Sequence, residues 1–417
     1  MSAYQVTDTL YLWWVADPDQ PRLVGSLRHV RRSATQPGGV SLTYDQTWLE
    51  SGQWGRSGQA LSEDLPLHAG EFMPVAPDSA VGAVDDARPD RWGERVIRLL
   101  DQPARLSTLE FLYFAGDDRF GALGVSTSAT AYLPRLHGPS PTLSDVQAIH
   151  DLIRQLERGD PVEPGLRRLV TPGVSLGGAR PKALLQIDSV PWIVKFAEAG
   201  DPIDSPLIEH ATMTLAARAG IEVCQTLAIP HARGHAVAVR RFDREGHRRL
   251  HALSAHVALR AAGQAFGYPD LALLLRRRGV AADIEAQGEQ LFRRMVFNIL
   301  IDNTDDHEKN HSLLADAANC YRLSPAYDIL PSGQALGYQQ MRVGRDGAGA
   351  TLANAMTEHR SFSLTHAGAS QLCAEVAGVV AGWREHFQAA GVAARDIELL
   401  SRQIDREFLQ SQREAPP

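Results

Sequence analysis

Asp302-Asn303-Thr304-Asp305-Asp306-His307-Glu308-Lys309-Asn310, followed by Ser324-Pro325-Ala326-Tyr327-Asp328-Ile329, is the stretch on which the reading of this chain turns. It begins where a strongly apolar pattern stops. Leu291, Phe292, Met295, Val296, Ile299 and Leu300 recur at the spacing of one buried helix face. A cluster of acids, amides, a histidine and a lysine at the mouth of such a helix is costly to fold unless it binds something. Asp and Asn in turns also serve simply as caps, so the cluster alone leaves both readings open. Its spacing, Asp-x4-Asn with a further Asp downstream, is the one phosphotransferases use. There the first Asp takes the proton of an attacking hydroxyl, and the Asn and second Asp hold the magnesium that bridges the nucleotide phosphates. In this chain those residues are Asp305, Asn310 and Asp328.

Upstream elements strengthen that reading. Gly173-Val174-Ser175-Leu176-Gly177-Gly178-Ala179-Arg180-Pro181-Lys182 is a Gly-rich turn whose small residues let backbone amides approach phosphate oxygens. Two strands follow, over 183–187 and 192–196, and the second carries Lys195. Asp204-Ser205-Pro206 reads as a helix start and Gly220 as its stop. Glu209, in the first turns of that helix, is placed to pair with Lys195 and so position a nucleotide. Ala236-Val237-Ala238-Val239-Arg240-Arg241-Phe242-Asp243 then reads as a strand leading to a hinge that would offer backbone groups to an adenine. Each part has a bland alternative: a hairpin turn, surface charges, a plain strand. Their order is what identifies a kinase.

Composition sets the frame. The 417 residues can bury a large core and hold two or three domains. Hydrophobic content of 44% and charged content of 22% are those of an ordinary globular protein. A net charge of −7 argues against electrostatic DNA binding by the chain as a whole, and the runs at Arg31-Arg32 and Arg276-Arg277-Arg278 read as solvated faces. Cys224, Cys320 and Cys373 are scattered without metal-ligand spacing, which suits a reducing cytoplasm. No signal peptide or membrane-length apolar run is read. Short apolar runs at 10–15, 39–44 and 121–125 make the first 130 residues β-rich, with one helix over 90–100. Prolines 134, 139 and 141 mark a linker, and a helix over 144–157 follows. Residues 330–349 read as a substrate-facing loop, and 364–390 and 394–408 as two closing helices.

These residues resemble the HipA-type serine/threonine kinase toxins of bacterial toxin–antitoxin modules. Pro89-Asp90-Arg91-Trp92-Gly93 and Gly116-Asp117-Asp118-Arg119-Phe120-Gly121-Ala122-Leu123 are similar to that family's N-terminal domain. The Ser175–Lys182 turn, Arg241-Phe242-Asp243, Thr304–Asn310 and Ser324–Asp328 are similar to its kinase domain. The resemblance implies an α+β, protein-kinase-like two-lobed fold: a β-rich subdomain over 1–135, a small lobe over 144–245 and a helical lobe over 246–417. It implies Asp305 as catalytic residue with Lys195 on the phosphates, and Asn310 and Asp328 on Mg2+. Around ATP it implies Ser175, Gly177, Gly178, Ala179, Lys182, Glu209, Arg240, Arg241, Phe242, Asp243 and Lys309, with Ser175 also the autophosphorylation site. Phosphate there would repel ATP and switch the enzyme off. The implied partners are a helix-turn-helix, HipB-like antitoxin, through which DNA is met indirectly, and a protein substrate, glutamyl-tRNA synthetase being the known substrate of the family's namesake. A metabolite or lipid kinase, or a non-catalytic co-repressor, are the alternatives. Asp306 stands where the family more often has Gly and is expected to add a charge beside the site. His307 is expected to bond the loop backbone.

Overall fold

The computed structural model describes residues 4–50, 59–173, 180–332 and 334–417. Ser175, Gly177, Gly178 and Ala179 of the Gly-rich turn lie outside the described residues. The chain divides into two compact units made of interleaved segments. Unit 1 holds 1–194, 243–253 and 314–319; unit 2 holds 195–242, 254–313 and 320–417. This partition differs from the one read in the sequence. The β-rich region and the hairpin after the Gly-rich turn fall in one unit, and the first boundary lies inside a strand rather than in the proline-rich linker.

In unit 1, β1 (Thr9–Trp14), β2 (Arg22–Val30), β3 (Gly39–Tyr44), β4 (Glu71–Phe72), β5 (Ser79–Ala80) and β6 (Leu123–Ser126) form one sheet in the order β4-β3-β2-β1-β6, with β5 parallel to β3. Alternate positions such as Leu10 and Leu12 point inward and are fully buried. The short helices α1 (Gln46–Glu50), α2 (Arg91–Val96) and α3 (Thr108–Phe114) accompany it, and α4 (Val146–Arg158) ends at Gly159 with φ 75°. β7 (Lys182–Ile187) and β8 (Val190–Phe196) are the strands after the Gly-rich turn. The Gly116–Leu123 turn has a structural task. Gly121 N–H donates to Asp243 Oδ2 at 2.8 Å, and Asp117 pairs with Arg249 at 2.7 Å, fastening the returning 243–253 segment.

Unit 2 opens with the end of β8 and continues through α5 (Ser205–Arg218) and the hairpin of β9 (Thr226–His231) and β10 (Gly234–Arg240). The α5 start is as read: Asp204 accepts from Leu207 N–H at 3.4 Å, with Pro206 in the first turn. Helices α6 (Ala255–Ala261), α7 (Tyr268–Arg278) and α8 (Ile284–Leu300) follow, then α9 (Leu352–Met356) and α10 (His366–Ala381). The chain closes with α11 (Trp383–Ala389), α12 (Ala394–Ile404) and α13 (Glu407–Glu414). Each expected closing helix is thus broken in two, at Gly382 and at Asp405-Arg406. The six apolar residues of the opening pattern are all buried on α8. The class is α+β with mainly antiparallel sheets. Among the described residues no helix is long and apolar enough to cross a membrane.

Candidate active site

Lys195 sits near the end of β8, flanked by the fully buried Val194 and Phe196. Its ammonium is inside unit 2, 2.7 Å from Glu209 Oε1 on α5, and both side chains are 2% exposed. The same ammonium pairs with Asp328 Oδ1. Burial pulls the lysine's pKa down, but Asp328 and Glu209 outweigh it, so the net shift is upward and the cation is held charged. One lysine therefore joins the β8 strand, the α5 helix and the Asp328 segment.

Asp328 has a left-handed backbone, φ 59°, as does Asp302 at φ 60° where α8 hands over to the loop. Non-glycine residues hold that conformation only where surroundings over-determine it. Those surroundings are visible. Tyr327 OH donates to Lys309 O at 2.9 Å, tying the residue before Asp328 to the residue before Asn310. Phe242 stacks on Tyr327, ring centres 5.5 Å apart. Ser332 N–H donates to Asp302 O at 3.0 Å, and Ser332 Oγ lies 2.6 Å from Thr304 Oγ1. Arg406 reaches Asp302 at 2.7 Å and Ala335 O at 2.8 Å. The 302–310 loop and the 324–332 segment are thus clamped together at both ends, which brings Asn310 and Asp328 into one neighbourhood.

Asn310 is buried, and its Oδ1 has no hydrogen-bond partner among the described residues. A buried carbonyl oxygen left without a donor is unfavourable in a folded protein unless water or an ion completes it. An amide oxygen and a carboxylate are the hard oxygen donors that Mg2+ takes, so these residues fit the metal that the spacing implied. Asp305, by contrast, is exposed, as an acid that must meet an incoming hydroxyl would be. Lys309 is exposed as well, and His307 Nδ1 accepts from Lys309 N–H at 3.2 Å, the backbone contact expected of it.

Other expected residues are placed differently. Asp306 adds no open charge beside the site: it is 2% exposed and turned inward, accepting from Tyr268 OH and His311 Nε2. Lys182 is fully buried against Asp90, the N-cap of α2, in unit 1. Asp243 is fully buried too, its carboxylate taken by Gly121 N–H and Arg244. Arg240 is exposed and its N–H donates to Gln225 O at 2.9 Å, while Arg241 is buried. Within the expected loop, Tyr338 is bridged to Gly349 and Arg342 N–H donates to Phe266 O at 3.0 Å.

Sequence reasoning missed the supports Tyr268, Asn298, Arg294 and His311. A signal existed for two of them. Arg294 and Asn298 are polar residues inside the otherwise apolar face of α8, and both are buried. Arg294 donates to Ser324 O at 2.6 Å, so it braces the start of the Asp328 segment.

Known families and proteins are similar to this chain. Residues 21–126 match the family described as the HipA N-terminal domain, and 174–383 match the HipA-like C-terminal domain. A curated protein named "Putative kinase Y4dM", from Sinorhizobium fredii (strain NBRC 101917 / NGR234), is 30% identical over 162 residues. That match spans 33% of this chain and only 37% of the length of that relative. A chain of the solved complex titled Shewanella oneidensis MR-1 toxin–antitoxin system HipA, HipB and its operator DNA has a TM-score of 0.63 at 16% identity, covering 98% of this chain and 100% of that one. The proinflammatory kinase CtkA of Helicobacter pylori overlaps 58% of this chain and 94% of its own at a TM-score of 0.41 and 13% identity. Carrying both family domains in order, the second over half its length, this chain belongs to the HipA family.

Proposed function

We propose that this chain is an ATP- and Mg2+-dependent protein serine/threonine kinase acting as the toxin of a toxin–antitoxin pair. The observation that carries the reading is Lys195 joined to both Glu209 and Asp328, with the orphaned Asn310 oxygen in the neighbouring loop. Lys195 would hold the nucleotide phosphates, with Glu209 fixing its direction. Asn310 and Asp328 would hold the metal, which when bound neutralises phosphate charge. Asp305 would accept the proton as the acceptor oxygen bonds to the γ-phosphorus and the bond to the β-phosphate oxygen breaks. Asp328 would then serve both the Lys195 ammonium and the metal. The resemblance extends the reading to a translation protein such as glutamyl-tRNA synthetase as acceptor, and to Ser175 as an internal one. The similar chain's company in its complex supports a HipB-like antitoxin as partner, with DNA met through it.

Incubation with γ-labelled ATP and Mg2+ tests this, comparing the wild type with Asp305→Gln. Label is expected on protein serine, with a loss of at least about 100-fold in the variant, the scale of a lost general base. Label only on a lipid or metabolite would overturn the protein acceptor. Nucleotide binding with no transfer at all would overturn the kinase.

A further inference from the structure

We propose that Asp306 is a positioning residue that sets Asp305 and Asn310 relative to one another through a single buried carboxylate oxygen, an inference that rests on the phosphotransferase reading above. Asp306 Oδ2 accepts from His311 Nε2 at 2.9 Å and from Tyr268 OH. Asp306 follows the proposed catalytic Asp305, and His311 follows the proposed metal ligand Asn310. The bond between them therefore closes the six-residue stretch 306–311 into a ring, with a functional side chain beside each end of the closure.

That ring is bolted to two helices. Tyr268 opens α7, and its hydroxyl also receives Asn298 Nδ2 of α8 at 3.3 Å. Asn303 Nδ2 in turn donates to Asn298 Oδ1 at 3.1 Å, and His311 O receives Ala255 N–H at 2.8 Å. Asp306, Asn298, Asn303, His311 and Tyr268 are all at most 2% exposed. Buried polar groups linked in this way hold one arrangement, because any slip leaves a partner unsatisfied. His311 Nδ1 has no partner among the described residues, so the bond to Asp306, together with the Tyr268 ring set edge-on 5.5 Å away, orients the imidazole. A Gly at position 306 could not make this closure, on which the loop geometry here depends. Asp306 acts on the chemistry only through its neighbours, since its own carboxylate is occupied inside the protein.

Asp306→Asn keeps the size and one acceptor but loses the charge, and Tyr268→Phe removes one hydrogen bond while keeping the ring. Three readouts separate the possibilities: steady-state transfer from Mg2+·ATP, binding of Mn2+ alone by electron paramagnetic resonance, and thermal unfolding. Asp306→Asn is expected to lower kcat about 10- to 100-fold and weaken Mn2+ about tenfold, the range for groups that orient metal ligands. The KM for ATP should stay within about threefold, because Lys195 and Glu209 are untouched. Tyr268→Phe should fall between the variant and the wild type, and it carries the test if Asp306→Asn does not fold. A lower unfolding temperature with kcat and Mn2+ affinity unchanged would sink the proposal and leave Asp306 a packing residue. A wild type that transfers no phosphate, yet whose Mn2+ affinity drops in Asp306→Asn, would overturn the kinase reading and uphold the positioning role.

Discussion

Lys195 shows what one side chain can be asked to hold. It is a buried cation facing two carboxylates, of which Glu209 is as buried as the lysine itself. Removing one partner from such a set leaves uncompensated charge in a poorly solvated place. Lys195→Met is expected to cost on the order of 3 kcal/mol of unit 2 stability at neutral pH, read from urea unfolding. A variant as stable as the wild type at neutral pH would mean that the pair is not formed in solution. At this scale the sequence was informative for the residues proposed to do chemistry. The Asp-x4-Asn spacing and the strand lysine with its helix glutamate could be read because kinases need those residue types in that order. The braces were less readable. Asn298 stands out as a polar residue on the apolar face of α8, but Tyr268 and His311 join it around Asp306 through tertiary packing, which no local spacing announces.

Among elements, α8 was the most legible, because a long apolar face leaves little choice of structure. Within it Gly288 was unremarked, yet it has a clear task. A Cβ there would lie 2.1 Å from Phe362 O, so the backbone of the following segment passes directly over the helix. Gly288→Ala is expected to destabilise by about 2 kcal/mol, the cost of overpacking. A denaturant titration reads this, and a neutral or stabilising result would mean that the Phe362 backbone yields. Closing helices were less legible. Residues 364–390 and 394–408 carry continuous apolar periodicity, and nothing local forces a break at Asp405. The break is set instead by tertiary bonds: Asp405 accepts from Trp383 Nε1 at 2.9 Å and pairs with Arg384 and Arg413. Strand β2 was missed because Gly25, Arg28 and His29 interrupt its apolar pattern. Gly25 is required there, since a side chain would strike Thr43 O on β3.

For the molecule as a whole, two buried histidines make the folded state sensitive to acid. His251 is buried in unit 1 with Nε2 against Leu61 O, and burial pushes its pKa down to about 4. His137 is likewise pushed down to about 3 by burial, with Arg167 adding repulsion. An unfolded histidine binds a proton below about pH 6.5, while these two refuse one until far lower. The unfolded chain therefore holds more protons across that window, and stability rises with pH through it. On lowering the pH from about 6.5 to about 4, His251 alone is expected to remove about 3 kcal/mol. Unfolding free energies across that range, for the wild type and His251→Gln, check this: the variant's curve should be flatter, and parallel curves would refute it.

The interleaving of the two units has a consequence for the order in which the protein can be built. The chain passes from one to the other after Val194, Phe242, Leu253, Leu313 and Asn319. The pieces of unit 1 that arrive late are not trimmings: they carry Asp243, Arg249 and His251, whose bonds secure Gly121, Asp117 and Leu61. A ribosome must therefore have passed residue 319 before the first unit has all its parts, and by then about half of the second is already synthesised. Neither can be cut out as a continuous gene fragment, and a nascent chain halted midway would carry two unfinished halves instead of one finished domain.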